Sequence, residues 1–341
     1  MINRRFLLAA AAASPCALSM GAVARVQEAE PRPFSGSILV KRRDEVLLRR
    51  DQGPARLGGD PRIDRDAQFK IASISKTFTA TAVLCLSNQG RIDLDAPVTH
   101  YLRDAPDSWA AIPVRRLLNH SHGIRDIISL EAFPRLAAEG TSLPEVLALL
   151  YAEPLRAAPG SEFRYGNSGA VVAAGLIERL AGLPYEAVLE RSLLSPLGLT
   201  STGGLGLADP PPRLVDGLVL AEGRLASARP LNMSVTRGAG SLYSGSDDLH
   251  RWVAAVGDEH LLPAEVWRQV LTPEVNEFGL GWMVREMFGQ REIGHLGDIN
   301  GFGSWLARYP EAGVTVSILT NLEGTRVRDL GRRYAEWALS L

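Results

Sequence analysis

Apolar positions follow two kinds of pattern along this chain, and the change between them suggests its architecture. Residues 35–50 read as two short strands around a turn at Arg43 and Asp44. A Gly- and Pro-rich loop over 52–66 then delivers the chain to a run that is apolar or small on nearly every side, Thr79-Ala80-Thr81-Ala82-Val83-Leu84-Cys85-Leu86. That composition predicts a helix buried all round, closed by Asn88-Gln89-Gly90 with glycine at the usual left-handed cap. From about 84 to 230 the pattern is helical segments broken by proline, at 113–118, 143–151, 168–180 and 185–194, with 203–212 as a flexible loop. Short strands at close spacing then appear at 278–284, 291–295, 301–308 and 314–320, with Pro310-Glu311-Ala312-Gly313 as a hairpin turn and 326–339 as a closing amphipathic helix. Strands at both ends with helices between predict one sheet assembled from both termini, 25–83 with 231–341, and a helical subdomain over 84–230. A site would lie where the two meet, a common place for pockets.

Composition narrows the classes of function. The 341 residues carry a net charge of −1, with no basic stripe or tail, which gives no electrostatic reason to expect nucleic acid. Residues 1–24 have the form of an export signal: Asn3-Arg4-Arg5, an apolar run over 6–13, and Ala22-Val23-Ala24 as a small-x-small cleavage site. Arg4-Arg5 followed by apolar residues also fits a twin-arginine signal, whereas Pro15 before Cys16 argues against a lipoprotein. The expected setting is periplasmic or secreted. Cleavage leaves Cys85 as the only cysteine, so no intrachain disulfide is expected, and Cys85 reads as core. No later apolar run reaches the length of a membrane span. Oligomeric state is not legible.

Candidate chemistry begins at the mouth of the buried helix. Ser73 and Lys76 stand three residues apart, so hydroxyl and amine share a helix face, a nucleophile beside a base. At a helix amino end the unpaired N–H groups and the dipole favour negative charge, so an oxyanion forming beside Ser73 would be stabilised. Tyr165 and Asn167 fall in a glycine-marked loop just before a helix, where a phenol can relay a proton and an amide can orient a carbonyl. His295, Gly297 and Asp298 lie at a strand end; Gly297 admits a close backbone approach, and the N–H of Asp298 is a candidate second oxyanion donor beside that of Ser73. Each piece alone has a structural reading: an N-cap, a snorkelling lysine, an aromatic anchor with an Asn cap, a core histidine. His120-x-His122 with Asp126 is an alternative metal site, and the chain has no Gly-x-Ser-x-Gly elbow of an α/β-hydrolase.

Taken together and in order, Ser73-x-x-Lys76, Tyr165-x-Asn167 and His295-x-Gly297 resemble the three motifs of the serine β-lactamase and penicillin-binding-protein superfamily, nearest to its class C-like branch. Leu117-Leu118-Asn119-His120-Ser121-His122-Gly123, Pro196-Leu197-Gly198-Leu199 and Gly279-Leu280-Gly281-Trp282 are similar to that branch too, and the likeness runs over 35–321. The resemblance implies an α+β fold, a five-stranded antiparallel sheet flanked by helices plus a helical subdomain. It implies an acyl-enzyme mechanism in which Ser73 attacks a carbonyl, Lys76 and Tyr165 share the proton transfers, and water hydrolyses the ester, with no metal or cofactor. Lys76 and Tyr165 form a coupled pair, so either can be the base. Asn167, His295, Gly297 and Asp298 would bind a small-molecule or peptide substrate.

One departure bears on the substrate. The third motif of many β-lactamases is Lys-Thr-Gly or Lys-Ser-Gly, whose charge and hydroxyl hold the antibiotic's carboxylate; here His295 and Leu296 stand instead. Histidine is mostly neutral above about 6.5 and leucine has no hydroxyl. Members with His-x-Gly look more like D-peptidases, D-aminopeptidases and esterases. The expectation is an exported serine hydrolase acting on an ester or amide, a D-alanyl peptide or small ester. A class C-like β-lactamase and a penicillin- or wall-fragment-binding protein without turnover are the alternatives.

Overall fold

The computed structural model describes residues 34–205 and 210–341, so the export-signal pattern of residues 1–24 lies outside it. Strands β1 (Gly36–Arg42) and β2 (Glu45–Gln52) form the first hairpin, turning at Arg43 with φ 55°. The loop after it leads to β3 (Phe69–Lys70), a 3-10 turn (Ala72–Ile74) and helix α1 (Ser75–Asn88). A helical stretch follows: α2 (Val98–Tyr101), α3 (Val114–Leu118), α4 (Phe133–Glu139), α5 (Leu143–Tyr151), α6 (Ser168–Ala181) and α7 (Tyr185–Leu189). Next come β4 (Gly203–Gly204), a small hairpin of β5 (Leu218–Ala221) and β6 (Arg224–Ser227), β7 (Leu242–Ser244), α8 (Ser246–Ala254) and α9 (Ala264–Val270). The chain closes with β8 (Met283–Met287), β9 (Gln290–Ile299), β10 (Phe302–Tyr309), β11 (Val314–Thr320) and α10 (Val327–Ser340).

The main sheet is antiparallel and draws on both ends of the described chain, in the order β2-β1-β11-β10-β9-β8. Its register follows from alternation, because a one-residue slip would turn every apolar side chain to the wrong face. Ile38, Val40, Val314, Val316 and Ile318 point to one face and pack with Leu330, Tyr334 and Trp337 of α10. Ile293, Leu306 and Leu319 join the larger core on the other face, with α1 and α8. The sheet has six strands, one more than the five that the resemblance implies. The edge strand β8 pairs with β9 from Met283↔Gly294 to Met287↔Gln290, and Arg285 Nε donates to Glu292 across it at 2.8 Å.

Two local expectations shift for steric reasons. The strand expected at 278–284 begins only at Met283, because the segment before it presses onto α1: a Cβ on Gly281 would sit 2.1 Å from that of Ala80. The loop expected over 203–212 begins as β4, paired to β7. Strands of two to four residues, such as β3 to β7, are too short to register as a period in the sequence.

Helix α1 is enclosed as its composition predicts, buried at every residue from Ser75 to Leu84 and again at Leu86, with Gly90 at φ 70° beyond its end. It is fixed on two sides. Phe78 lies flat on Trp252 of α8, ring centroids 3.9 Å apart, and Trp252 Nε1 donates to Thr77 Oγ1 at 2.9 Å. On the other side Thr79 Oγ1 donates to Gly238 O at 2.6 Å and meets the Tyr185 hydroxyl at 2.7 Å. We expect Trp252→Ala to destabilise the protein by about 3–5 kcal/mol, the cost of a large core aromatic. A urea midpoint unchanged from wild type would show that the α1–α8 stack does not hold the fold.

Candidate active site

Ser73 sits in the 3-10 turn, just ahead of α1, not at the first residue of the α-helix itself. The residue before it, Ala72, has φ 46°, a left-handed conformation uncommon outside glycine, which marks local strain beside Ser73. Lys76 lies one turn on, only 3% exposed. Its Nζ is 2.8 Å from Ser73 Oγ, 3.0 Å from Asn167 Oδ1 and 3.0 Å from the carbonyl oxygen of Ala239. Among the described residues this buried amine makes no ion pair; its partners are a hydroxyl, an amide and a carbonyl. The Ala239 carbonyl arrives on the same turn, 238–240, that Thr79 grips through Gly238.

Tyr165 and Asn167 are delivered by a loop clasped to the turn after α3. Arg156 N donates to Gly123 O at 2.8 Å, Gly160 N to Ser121 O at 2.7 Å and Arg164 N to His120 O at 2.8 Å. The clasp explains the polar 119–123 segment: its carbonyls hold the Tyr165 loop, and His120 at φ 60° turns its ring under Tyr165, centroids 4.5 Å apart. Phe278 and His295 complete the surround, at 5.8 and 6.1 Å from the Tyr165 ring. Lys76 Nζ stands 5.0 Å from the centre of that ring, and the phenol hydroxyl makes no hydrogen bond among the described residues. Asn167 occupies the N-cap position of α6 but its side chain caps nothing; it joins Lys76 to Asp126. Both Asp126 carboxylate oxygens accept from Asn167 Nδ2 at 3.4 Å, and Oδ1 also accepts from Asn167 N at 3.1 Å.

The third motif lies on a free strand edge. β9 pairs with β8 only as far as Gly294, while its other side stays paired to β10 out to Ile299↔Phe302. Residues 295–299 therefore carry unpaired backbone groups on one edge, alternate N–H groups pointing outward. That edge touches the Ser73 turn. A Cβ on Gly297 would lie 2.4 Å from Ile71 O and 2.9 Å from the Ala72 methyl, and Ser304 Oγ of the neighbouring strand donates to Ile71 O at 2.8 Å. His295 is buried, and its Nδ1 donates to Leu296 O at 2.6 Å. Burial, and then the charge of Lys76, lower its pKa to about 3. Burial and the same lysine also push His120 well below the ordinary histidine value. Both imidazoles are neutral neighbours of one cation. Leu296 faces the α10 side of the sheet, and by alternation so does the Asp298 carboxyl, raised by burial and by Glu323.

A cavity of about 600 Å³ opens over Ser73, with Tyr165, Asn167 and Asp298 in its wall beside Ile128, Phe133 and Leu231. Of the residues expected from sequence, these four line the cavity; Lys76 lies behind Ser73, and His295 and Gly297 on the adjoining strand. The histidine pair is not assembled as a metal site: His122 Nδ1 accepts from Ile124 N at 2.9 Å, His120 lies under Tyr165, and Asp126 holds Asn167. Among the described residues no group of three or more His, Cys, Asp or Glu side chains is arranged to hold a metal ion. Sequence reasoning missed Ala239, whose contribution is a backbone carbonyl, and the part played by Asp126, which it weighed only as a metal ligand.

Fold and site together define the class of β-lactamase-fold serine hydrolases. The chain belongs to the Beta-lactamase family, whose model matches residues 26–340. It is 31% identical over 294 residues to esterase EstB of Burkholderia gladioli, across 73% of this chain and 74% of that protein. The D-amino acid amidase of Ochrobactrum anthropi SV3, solved with L-phenylalanine, has a TM-score of 0.81 at 24% identity, across 94% of this chain and 98% of the other. A penicillin binding protein from Bacillus halodurans has a TM-score of 0.78 at 21% identity, across 92% and 96%. At these identities the two structures speak for the fold alone.

Two expectations follow from this geometry. Gly297→Ala must push β9 away from the Ser73 turn, and we expect it to lower turnover of p-nitrophenyl acetate by about 10²-fold or more, the scale of losing an oxyanion donor; wild-type turnover would refute the close-approach argument. The second concerns pH. Burial lowers His120, His122, His250 and His295, the last three to about 4, 4 and 3. The unfolded chain takes up these protons first, below about 6.5, so the stability is fully present above that pH and is lost as pH falls towards the folded values. Urea unfolding between pH 7 and 5, above most carboxylate titration, should show stability falling by up to about 1.4 kcal/mol per pH unit for each histidine titrating. A flat profile over that window contradicts the assignment.

Proposed function

We propose that the protein is an exported serine hydrolase that works through an acyl-Ser73 intermediate on an ester or amide, a D-alanyl peptide or a small ester. The observation that carries this reading is the buried Lys76 amine 2.8 Å from Ser73 Oγ with no carboxylate beside it. In the acylation step Ser73 Oγ bonds to the acyl carbon, the carbonyl π pair moves onto oxygen, and the hydroxyl proton passes to the Lys76–Tyr165 pair. The N–H groups of Ser73 and Asp298 would hold the oxyanion. Collapse expels the alcohol or amine, which takes that proton, and water then repeats the sequence on the ester to release the acid.

Support for esters and amides over β-lactams comes from β9. His295 is held neutral and Leu296 is turned to the α10 side, so the third motif offers neither the cation nor the hydroxyl that would grip a β-lactam carboxylate. Ile128, Phe133 and Leu231 give the wall an apolar stretch for an acyl or leaving group, beside Arg229. The name of its relative esterase EstB agrees with this choice. A binding protein that acylates without turnover is the second reading.

The test is intact-protein mass spectrometry of wild type and Ser73→Ala, each with a fluorophosphonate and with p-nitrophenyl acetate. Wild type should gain one phosphonyl group and release nitrophenol over many turnovers, and the variant should do neither. Equal labelling of both proteins would overturn the reading, whereas one equivalent of nitrophenol without turnover would select the binding protein. Lys76→Ala should slow acylation by roughly 10²–10⁴-fold, the loss expected on removing a general base.

A further inference from the structure

The partners of Lys76 differ in what they can do. Asn167 Oδ1 and Ala239 O only accept, whereas Ser73 Oγ both donates and accepts. A neutral amine has two N–H groups and one lone pair. With two N–H groups committed to the two obligate acceptors, the third position, toward Ser73, is where the lone pair must lie. When the amine is protonated that same position becomes an N–H. Proton exchange is therefore confined to the Ser73–Lys76 line, provided that Asn167 presents oxygen and not nitrogen.

Nothing intrinsic to an amide ensures this. Rotated by half a turn, Asn167 would aim its NH₂ at the lysine, a donor against a donor, and the lone pair would be drawn to Asn167 in place of Ser73. The side chain that prevents the rotation is Asp126. An ionised carboxylate accepts and cannot donate, and it takes Asn167 Nδ2 at 3.4 Å on both oxygens together with Asn167 N at 3.1 Å. Asp126 is itself braced from both sides, because Ser168 Oγ accepts from Ile127 N and donates to Arg125 O, each at 2.8 Å. Room for the carboxylate comes from Gly166, where a Cβ would lie 2.9 Å from Asp126 Oδ2.

We propose that Asp126 is a positioning residue that fixes the orientation of the Asn167 amide and thereby commits the Lys76 lone pair to Ser73. The proposal rests on the acyl-Ser73 reading and adds to it that Lys76 takes the Ser73 proton. Asp126 does not line the cavity, so its effect belongs in the acylation rate and not in substrate affinity.

The experiment measures the rate of fluorophosphonate labelling, and the pre-steady-state acylation rate and KM with p-nitrophenyl acetate, in Asp126→Asn, Asn167→Ala and the double variant. Asp126→Asn is nearly isosteric, but its amide accepts either Asn167 orientation. We expect acylation and labelling to fall about 10-fold to 10²-fold with KM within about twofold, a part of the loss that removing a general base brings. In the Asn167→Ala background the same change should have no further effect, because Asp126 then has no amide to orient. Gly166→Ala, which displaces the carboxylate without removing it, should reproduce the single-variant loss and serves if Asp126→Asn does not fold. Additive losses in the double variant, or an unchanged labelling rate in Asp126→Asn or Gly166→Ala, overturn the proposal. Loss of labelling in Ser73→Ala under the same conditions shows that the acyl-Ser73 reading survives that outcome.

Discussion

The structure depends most on one amine kept out of water without a counter-charge. A lysine buried among a hydroxyl, an amide and a carbonyl holds its place only if each partner is held in turn, since an unpaired buried polar group is costly. Each partner is held by a different part of the fold. Ser73 is set by the strained turn ahead of α1, Ala239 by the 238–240 turn that Thr79 fastens to the helix, and Asn167 by Asp126 across the helical stretch. The stack of Phe78 on Trp252 then ties α1 to a helix lying on the sheet. Sheet, buried helix and helical stretch thus converge on a single nitrogen atom, and a shift of any of them would be felt there.

The second constraint is the close approach of β9 to the Ser73 turn. Ending the β8 pairing at Gly294 leaves an edge that would ordinarily invite another strand. Here the Ser73 turn occupies part of it, and substrate would occupy the remainder, pairing with backbone groups as an added strand would. The same contact accounts for Gly297 and for the left-handed Ala72, because the two backbones leave no room for a methyl on one and turn the other's methyl toward it. Strain at Ala72 and the lost side chain at Gly297 are two sides of one packing requirement.

Much of this was legible in the sequence because it is carried by periodicity or by side-chain type. The burial of α1 follows from its run of small and apolar residues, and β9, β10 and β11 from short apolar runs bounded by turns. Ser73 and Lys76 stand out as a polar pair at the mouth of an apolar helix, whereas Tyr165 and Asn167 gain weight only from the resemblance of the three motifs taken in order. What was hidden is carried by backbone or by distance in sequence. Ala239 acts through its carbonyl, so its side chain says nothing. The Asp126–Asn167 contact joins residues 41 apart, and Asp126 beside two histidines suggested a metal site more readily than an amide anchor. The small strands β3 to β7 have too few residues to form a pattern, and β8 begins late because Gly281 before it serves contact with α1 and Gly279 contact with the end of α9.

Replacing lysine by histidine in the third motif changes the electrostatics of the whole cavity. With a lysine at position 295 two buried ammonium groups would face one another across Tyr165, each raising the cost of the other. With His295 and His120 neutral, neither adds a second positive charge beside Lys76 beneath the Tyr165 ring. An enzyme arranged in this way gives up the third-motif handle for anionic substrates, and Arg229 is the cation in the cavity wall. In the proposed reaction, selectivity would draw on the apolar side chains and Arg229 of the wall and on backbone pairing along β9.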